Sequence, residues 1–138
     1  MSEISFKLFG RRPSVWLNKS EHYLFLRFGG IEIQKIIKRY LYFCKADKTH
    51  SIRLKQREGS YSRDFVRGFA AGLVASDGSV GVSSRSVRFS VTSKRLVQQY
   101  VSILNRMGVH VRFYEYTNKH GFAGPYKMYT VETKAETT

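Results

Sequence analysis

The most constraining stretch of the sequence is the apolar run from Phe65 to Val80, which combines small residues at helical spacing with an abrupt Asp77-Gly78 ending. Residues four apart lie on one face of a helix, so the run predicts a stripe of small side chains. Such a stripe lets a second backbone approach closely. Because glycine inside a helix costs about 1 kcal/mol relative to alanine, the stripe predicts a helix–helix interface. Its residues are Gly68, Ala71, Gly72 and Ala75.

The end of this helix predicts either a metal site or an ordinary turn. We expect Gly78 to end the helix in the left-handed conformation. Asp77 then lies at the negative end of the helix dipole, where a carboxylate suits a cation. If two such helices pack side by side in parallel, two Asp77 carboxylates converge and form a divalent-metal site. The alternative is a core helix followed by an Asp-Gly turn, and the pattern alone favours neither.

Residues 70–78, AAGLVASDG, resemble the LAGLIDADG motif of the homing endonucleases, and Ser79-Val80 continues it in the usual way. Ala70 replaces the leading leucine, which changes packing only. Ala75 replaces the first acidic residue, whereas Asp77 keeps the second, which the resemblance implies to be the metal ligand. The resemblance therefore implies a single-motif member of the family that retains its chemistry.

Composition favours a polyanion as the partner of this chain. Its 24 Lys and Arg against 10 Asp and Glu give a net charge of +14, which exceeds what solubility requires. Nucleic acid is the commonest polyanion bound by such proteins. Cys44 is the single cysteine, so neither a disulfide framework nor a cysteine zinc site is expected. With no secretory leader and no apolar run of membrane length, we expect an intracellular protein of the cytoplasm, nucleoid or organelle matrix, without a membrane partner.

Hydrophobic periodicity divides the 138 residues into two structured segments around a linker. Residues 1–45 predict a hairpin over Ser14 to Phe28 and an amphipathic helix over Ile31 to Phe43. Residues 46–61 are charged and predict a solvated basic linker. Residues 62–138 predict the core, in the order α-β-β-α-β-β.

Within that core, the strand after the motif helix is predicted to turn at Arg85-Ser86. A second helix is predicted from Lys94 to Met107, capped by Thr92 or Ser93. A second hairpin runs from Val109 to Glu132. The resemblance implies an α+β protein with the LAGLIDADG homing-endonuclease fold, whose curved antiparallel sheet binds DNA. Only its final helix is missing. Residues 7–45, which start within FKLFG (residues 6–10), resemble the back half of a preceding repeat.

The outward positions of the two hairpins carry side chains suited to reading DNA. Arginine can bind guanine bidentately, and a two-stranded ribbon fits the major groove. The alternative is the polar face of a half-exposed sheet, but the net charge favours DNA. The DNA-binding candidates are Arg85, Arg88, Ser90, Thr92, Lys94, Arg112, Tyr114, Tyr116, Lys119 and Lys127.

The resemblance implies an Mg²⁺-dependent homing endonuclease that makes a double-strand break at a long DNA target, in association with an intron or intein. Oxygen ligands and phosphate favour Mg²⁺, held by Asp77 and the backbone carbonyl of Ser76. A lysine near the site is implied to order the reactive water, either Lys45, the first choice, or Lys127. One Asp77 per chain predicts a homodimer, or alternatively a heterodimer with a separately encoded half. The alternative function is non-catalytic nucleic-acid binding, as an RNA maturase or a DNA-binding regulator.

Overall fold

The computed structural model describes residues 12, 14–19, 23–27, 30–120 and 124–134. Their internal contacts divide the chain into two units, Met1–Tyr40 and Leu41–Thr138. The boundary therefore falls at the end of the first helix, and not within a linker as the sequence predicts.

The first unit contains the expected hairpin and helix. Strands β1 (Ser14–Asn18) and β2 (Tyr23–Arg27) pair antiparallel, and helix α1 spans Ile31–Tyr40. The predicted end of this helix at Phe43 is wrong, because the residues that follow Tyr40 pair with another strand. The predicted helix end at FKLFG lies outside the described residues.

The second unit begins with a folded segment where the sequence predicts a basic linker. Strand β3 (Leu41–Tyr42), helix α2 (Lys48–Ser51) and strand β4 (Arg53–Leu54) follow one another, and β3 pairs antiparallel with β4. A 3-10 turn at Glu58–Ser60 completes the segment. The prediction of a solvated linker over 46–61 is therefore wrong.

A buried glutamine explains why this charged segment is ordered. Leu54 is 1% exposed and belongs to the core. Its backbone N–H donates to Gln99 Oε1 at 2.9 Å, and Gln99 Nε2 donates to the carbonyls of Leu54 and Gln56, both at 3.3 Å. Because buried backbone groups must be hydrogen-bonded, this single side chain satisfies backbone groups of β4, whose only neighbouring strand among the described residues is β3.

The remaining elements confirm the predicted order α-β-β-α-β-β. Helix α3 is capped by Ser62, whose hydroxyl accepts from the N–H of Phe65 at 3.2 Å. The four strands form one antiparallel sheet in the order β5-β6-β8-β7. The elements are α3 (Arg63–Asp77), β5 (Gly78–Gly81), β6 (Ser86–Val91), α4 (Lys94–Arg106), β7 (Arg112–Asn118) and β8 (Tyr126–Lys134).

Helices α3 and α4 cover one face of this sheet. Phe89, Tyr129 and Val131 share that face by register and belong to the core. The Phe89 ring lies 5.0 Å from the ring of Tyr100 on α4, inclined at 58°, a favourable aromatic geometry. Alternation along the strands leaves the opposite face of the sheet to polar side chains.

Helix α4 follows its prediction closely. It begins after Ser93, whose hydroxyl accepts from the N–H of Leu96 at 3.3 Å, so Ser93 and not Thr92 is the cap. The helix ends at Arg106, one residue before the predicted Met107. Gly108 then adopts a φ of 77°, the conformation that commonly terminates helices.

Helix α3 ends before Gly78 as predicted, but the left-handed conformation predicted for Gly78 is wrong. Its φ of −81° and ψ of 158° are extended, and it is the first residue of β5. A Cβ atom there would lie 2.9 Å from the Cα and the carbonyl carbon of Val74. Glycine is therefore required for a close approach of backbones, and not for a left-handed residue. The turn prediction is also shifted, since Arg85 has a φ of 47° and Ser86 already belongs to β6.

We expect Gln99→Ala to lower the free energy of unfolding by about 2–4 kcal/mol, because it leaves buried backbone groups of Leu54 unpaired. Urea denaturation measures the change. Gln98→Ala is the matched control, since Gln98 is the exposed neighbour on the same helix. Equal effects of the two substitutions would contradict the role assigned to Gln99.

Candidate functional site

Asp77 is the last residue of α3, and no loop residue separates it from β5. Its side chain is exposed, and within the described part of the chain it makes no hydrogen bond or ion pair. The last four carbonyls of a helix have no partner inside the helix, and that of Ser76 is among them. The end of α3 therefore offers a carboxylate and carbonyl oxygens together.

A groove runs beside Asp77 at the end of the sheet where β5 begins. Phe89, Leu96 and Tyr129 contribute its apolar wall. Three lysines also line it, so a single carboxylate shares the groove with several cations. These lysines are Lys48, Lys94 and Lys127.

Glu115 connects two of these lysines. Lys127 Nζ donates to Glu115 Oε1 at 2.5 Å, and Lys94 Nζ lies 3.9 Å from Glu115 Oε2. The hydrogen bond with Glu115 raises the pKa of Lys127, and it lowers the pKa of Glu115. Lys127 therefore remains protonated, and it acts on a neighbouring group through its charge.

The segment that carries Lys48 is fastened to the junction of β6 and α4. The hydroxyl of Thr92 donates to the carbonyl of Thr49 at 3.1 Å, and that of Ser93 donates to the carbonyl of Ile52 at 2.6 Å. These bonds hold α2 against the groove. His50, which also lines the groove, has its Nδ1 atom 2.6 Å from a carboxylate oxygen of Asp47, and this hydrogen bond lowers the pKa of Asp47.

The opposite face of the sheet carries a row of side chains across all four strands. Ser79 lies opposite Arg88, Arg88 opposite Glu132, and Glu132 opposite Arg112. Glu132 is only 5% exposed although it lies on this polar face. It accepts hydrogen bonds from Arg88 Nε at 2.9 Å and from the hydroxyl of Tyr114 at 3.0 Å. These hydrogen bonds lower the pKa of Glu132 to about 2, and the bond from Arg88 has a larger effect than the bond from Tyr114.

A comparison with known protein families matches residues 64–136, more than half of the chain, to the LAGLIDADG-like domain. The chain belongs to the LAGLIDADG family. The resemblance carried by AAGLVASDG is thereby confirmed, and the α+β architecture is that of the LAGLIDADG fold. The family contains homing endonucleases and maturases, and its members bind DNA and often dimerise. A search of curated proteins found no match to the chain.

The LAGLIDADG helix turns its small residues away from the sheet. Gly68, Ala71, Gly72 and Ala75 are exposed in the single chain. A Cβ atom added at either glycine meets no other atom within 4 Å. The stripe predicted as a dimer interface is therefore open.

The predicted DNA-binding residues of this LAGLIDADG protein fall into three groups. Lys94 and Lys127 lie on the helix-covered side, since Lys127 alternates along β8 with the outward residues and both cations contact Glu115. Thr92 follows β6 and donates to Thr49, as described. The rest lie on the outer face or in the turns: Arg88, Ser90, Arg112, Tyr114 and Tyr116 on the strands, and Arg85 and Lys119 at their ends.

The structure distinguishes the two candidate lysines by position. Lys45 is exposed and does not line the groove of Asp77, whereas Lys127 does. Sequence reasoning missed Lys48 and His50 because residues 46–61 were interpreted as a linker. The alternation of Ile52 and Leu54 around Arg53 was the available signal of a short strand.

Within the described ranges, the LAGLIDADG chain has no cluster of three or more His, Cys, Asp or Glu side chains that could hold a metal ion. Asp77 is thus a single carboxylate, which fits the oxygen preference of Mg²⁺ but is not a complete ligand set. In the same part of the chain, no helix combines the length and apolar character of a membrane span.

Since the folded pKa of Glu132 is about 2, below the ordinary value of 4.5, its charge stabilises the folded state above pH 4.5, and this contribution is lost as the pH falls toward 2. We therefore expect the stability advantage of the wild-type protein over Glu132→Gln to shrink steadily between pH 5 and pH 2.5. Urea denaturation at several pH values measures it. A constant difference over this range would contradict the ionised Glu132–Arg88 pair.

Proposed function

We propose that the chain is a site-specific LAGLIDADG homing endonuclease that uses Mg²⁺ to make a double-strand break in a long DNA target, in association with an intron or intein. The observation that carries this proposal is the exposed carboxylate of Asp77 at the end of the family's motif helix. A protein that only binds nucleic acid has no need for a carboxylate directed at phosphate. An intracellular location is part of the proposal, since its substrate is DNA.

Asp77 and the backbone carbonyl of Ser76 would hold the divalent ion. Both are oxygen donors, which suit Mg²⁺. When bound, Mg²⁺ supplies neutralisation of the charge that develops at the scissile phosphate. One carboxylate per chain supports a site completed by a second motif helix.

The lysines of the groove supply further positive charge beside Asp77. Lys127 is protonated through its hydrogen bond with Glu115, so its proposed role is to attract the phosphate and to orient water near it. Its place in the groove supports Lys127 over Lys45 as the catalytic lysine.

The outer face of the sheet is proposed to lie in the major groove of the target. Four strands carry its polar side chains, and a ribbon of strands fits that groove. The net charge of +14 supports strong attraction to the phosphate backbone. Arg112 and Tyr116 are exposed there and are proposed to contact bases.

A homodimer is the proposed assembly. The exposed stripe on α3 supports a symmetric contact between two motif helices, which brings two Asp77 carboxylates together and favours a near-palindromic target. A heterodimer with a separately encoded LAGLIDADG half is the alternative, and a chain that is inactive without a second polypeptide would favour it.

The second candidate function is non-catalytic nucleic-acid binding, as an RNA maturase or a DNA-binding regulator. Ala75, in place of the first acidic residue of the motif, is the observation that favours it. The two functions differ in one measurable property, the cleavage of DNA in the presence of Mg²⁺.

We expect Asp77→Asn to abolish cleavage, because the carboxylate proposed to hold the divalent ion is lost. DNA affinity should change by less than about tenfold, since the substitution only removes a negative charge near phosphate. Duplexes selected by the wild-type protein from a randomised library are cloned into a supercoiled plasmid. The plasmid is then incubated with protein, with and without Mg²⁺, and the linear product is quantified on a gel.

Asp64→Asn is the matched control, since Asp64 is an exposed aspartate at the opposite end of the same helix, and it should cleave as the wild type does. Cleavage by Asp77→Asn would overturn the proposed mechanism. Selective binding by the wild type without cleavage would support the maturase or regulator function.

We expect Gly72→Leu to weaken dimerisation about tenfold or more, because overpacking of a close contact costs about 1–3 kcal/mol. The monomer should tolerate the change, since the position is open in the single chain. Sedimentation equilibrium measures the dissociation constant. Gln98→Leu, which places the same leucine side chain on the exposed side of α4, should leave the dimer intact. A wild-type protein that is monomeric on DNA would contradict the homodimer.

A further inference from the structure

Glu132 is an unexpected residue for a surface that binds a polyanion. It is an acid in the middle of the outer face, in register with Arg88 on one side and Arg112 on the other. A carboxylate exposed at this place would repel phosphate. Its 5% exposure shows that it is covered by its neighbours and cannot itself reach a base.

The hydrogen bonds of Glu132 restrict what its two partners can do. Arg88 uses its Nε atom for Glu132 Oε1, while 53% of its side chain remains exposed. The terminal nitrogens of the guanidinium group are not used in this bond, so they can donate to a base. Two N–H groups in that arrangement match the O6 and N7 acceptors of guanine.

The same carboxylate determines that the hydroxyl of Tyr114 donates its hydrogen and does not accept one. An ionised carboxylate can only accept hydrogen bonds, so the hydroxyl of Tyr114 must donate to Glu132 Oε2, 3.0 Å away. The phenol oxygen then keeps only its lone pairs for other groups. In the major groove, the matching donors are the amino groups of adenine and cytosine.

We propose that Glu132 is a positioning residue that determines the DNA specificity of this sheet: it makes Arg88 a donor to guanine and Tyr114 an acceptor from adenine or cytosine. This inference rests on the proposed DNA-binding function of the outer face. Because one carboxylate holds both side chains, the two bases that they read are neighbours, within about two base pairs.

The test is a binding selection from duplexes with a randomised central region, followed by sequencing, for the wild type, four single variants and one double variant. Arg88→Lys keeps the charge but loses the Nε donor. Tyr114→Phe loses only the hydroxyl. Glu132→Gln keeps the shape of the side chain but loses its charge. Asp64→Asn is the matched control, since Asp64 is an exposed acid in the first turn of α3, which covers the opposite face of the sheet.

We expect Arg88→Lys to lose the preference for one guanine, and Tyr114→Phe to lose the preference for adenine or cytosine at a neighbouring position, each by about tenfold to a hundredfold. Glu132→Gln should lose both preferences while its affinity for random-sequence DNA is unchanged or higher. Asp64→Asn should keep both preferences. The double variant Arg88→Lys/Glu132→Gln should lose no more guanine preference than Arg88→Lys alone, since the two residues act as one unit.

A purely structural role of Glu132 would lower affinity for all sequences together, and this result would overturn the inference. So would a Glu132→Gln profile equal to that of the wild type. If Glu132→Gln does not fold, Arg88→Lys and Tyr114→Phe still test the inference. It is overturned if these two variants lose preferences at positions distant from each other, or if they lose no preference. A wild type that selects no sequence at all overturns the proposed function itself, and the inference with it.

Discussion

The direct continuation of α3 into β5 is the constraint on which the second unit depends. Gly78 donates its N–H to the carbonyl of Val74 in the last turn of the helix and pairs with Phe89 in the sheet. Phe89 is 1% exposed. The backbone of Asp77 is therefore joined to the hydrophobic core through a single residue, which fixes the point from which its carboxylate projects.

The charges of this protein are distributed between two surfaces that work differently. In the groove beside Asp77, cations outnumber the acids, and Glu115 holds Lys127 and Lys94 near the end of the sheet. On the outer face, the acid is enclosed by its partners and controls their direction. The first arrangement creates a positive field, which attracts phosphate. Under the proposed function, the second presents a pattern of donors and acceptors that carries sequence information.

Local patterns in the sequence predict those parts of the fold that depend on near neighbours. The motif helix, a cap at Thr92 or Ser93 and the outward positions of Arg88 and Ser90 follow from spacing and alternation. The anchoring of the segment around Leu54 depends on Gln99, which lies 45 positions further along the chain. A local sequence pattern cannot predict a contact between residues so far apart. For this reason the segment was interpreted as a linker.

The candidate site shows the same division. The position of Asp77 follows from its motif, but its neighbours do not. Lys127 faces the helices because the register of the second hairpin places it opposite Thr117, and the loop between the strands sets that register. The sequence does not mark Glu132 as a candidate, because DNA-binding side chains are expected to be basic or neutral and Glu132 is acidic. Gly78 shows that residue type alone does not specify conformation, since a close approach requires glycine as strictly as a left-handed turn does.

The enclosed carboxylate also constrains how such a protein changes its target over evolution. If a mutation replaced Arg88 by a neutral residue to suit a new base, Glu132 would lose its main compensating charge while remaining covered. The new readout would then carry a penalty in folding stability until a second mutation removed the acid. Under the proposed function, specificity at this place in the sheet is thus inherited as a pair of positions, and paired substitutions are the route that follows a drifting target sequence without this penalty.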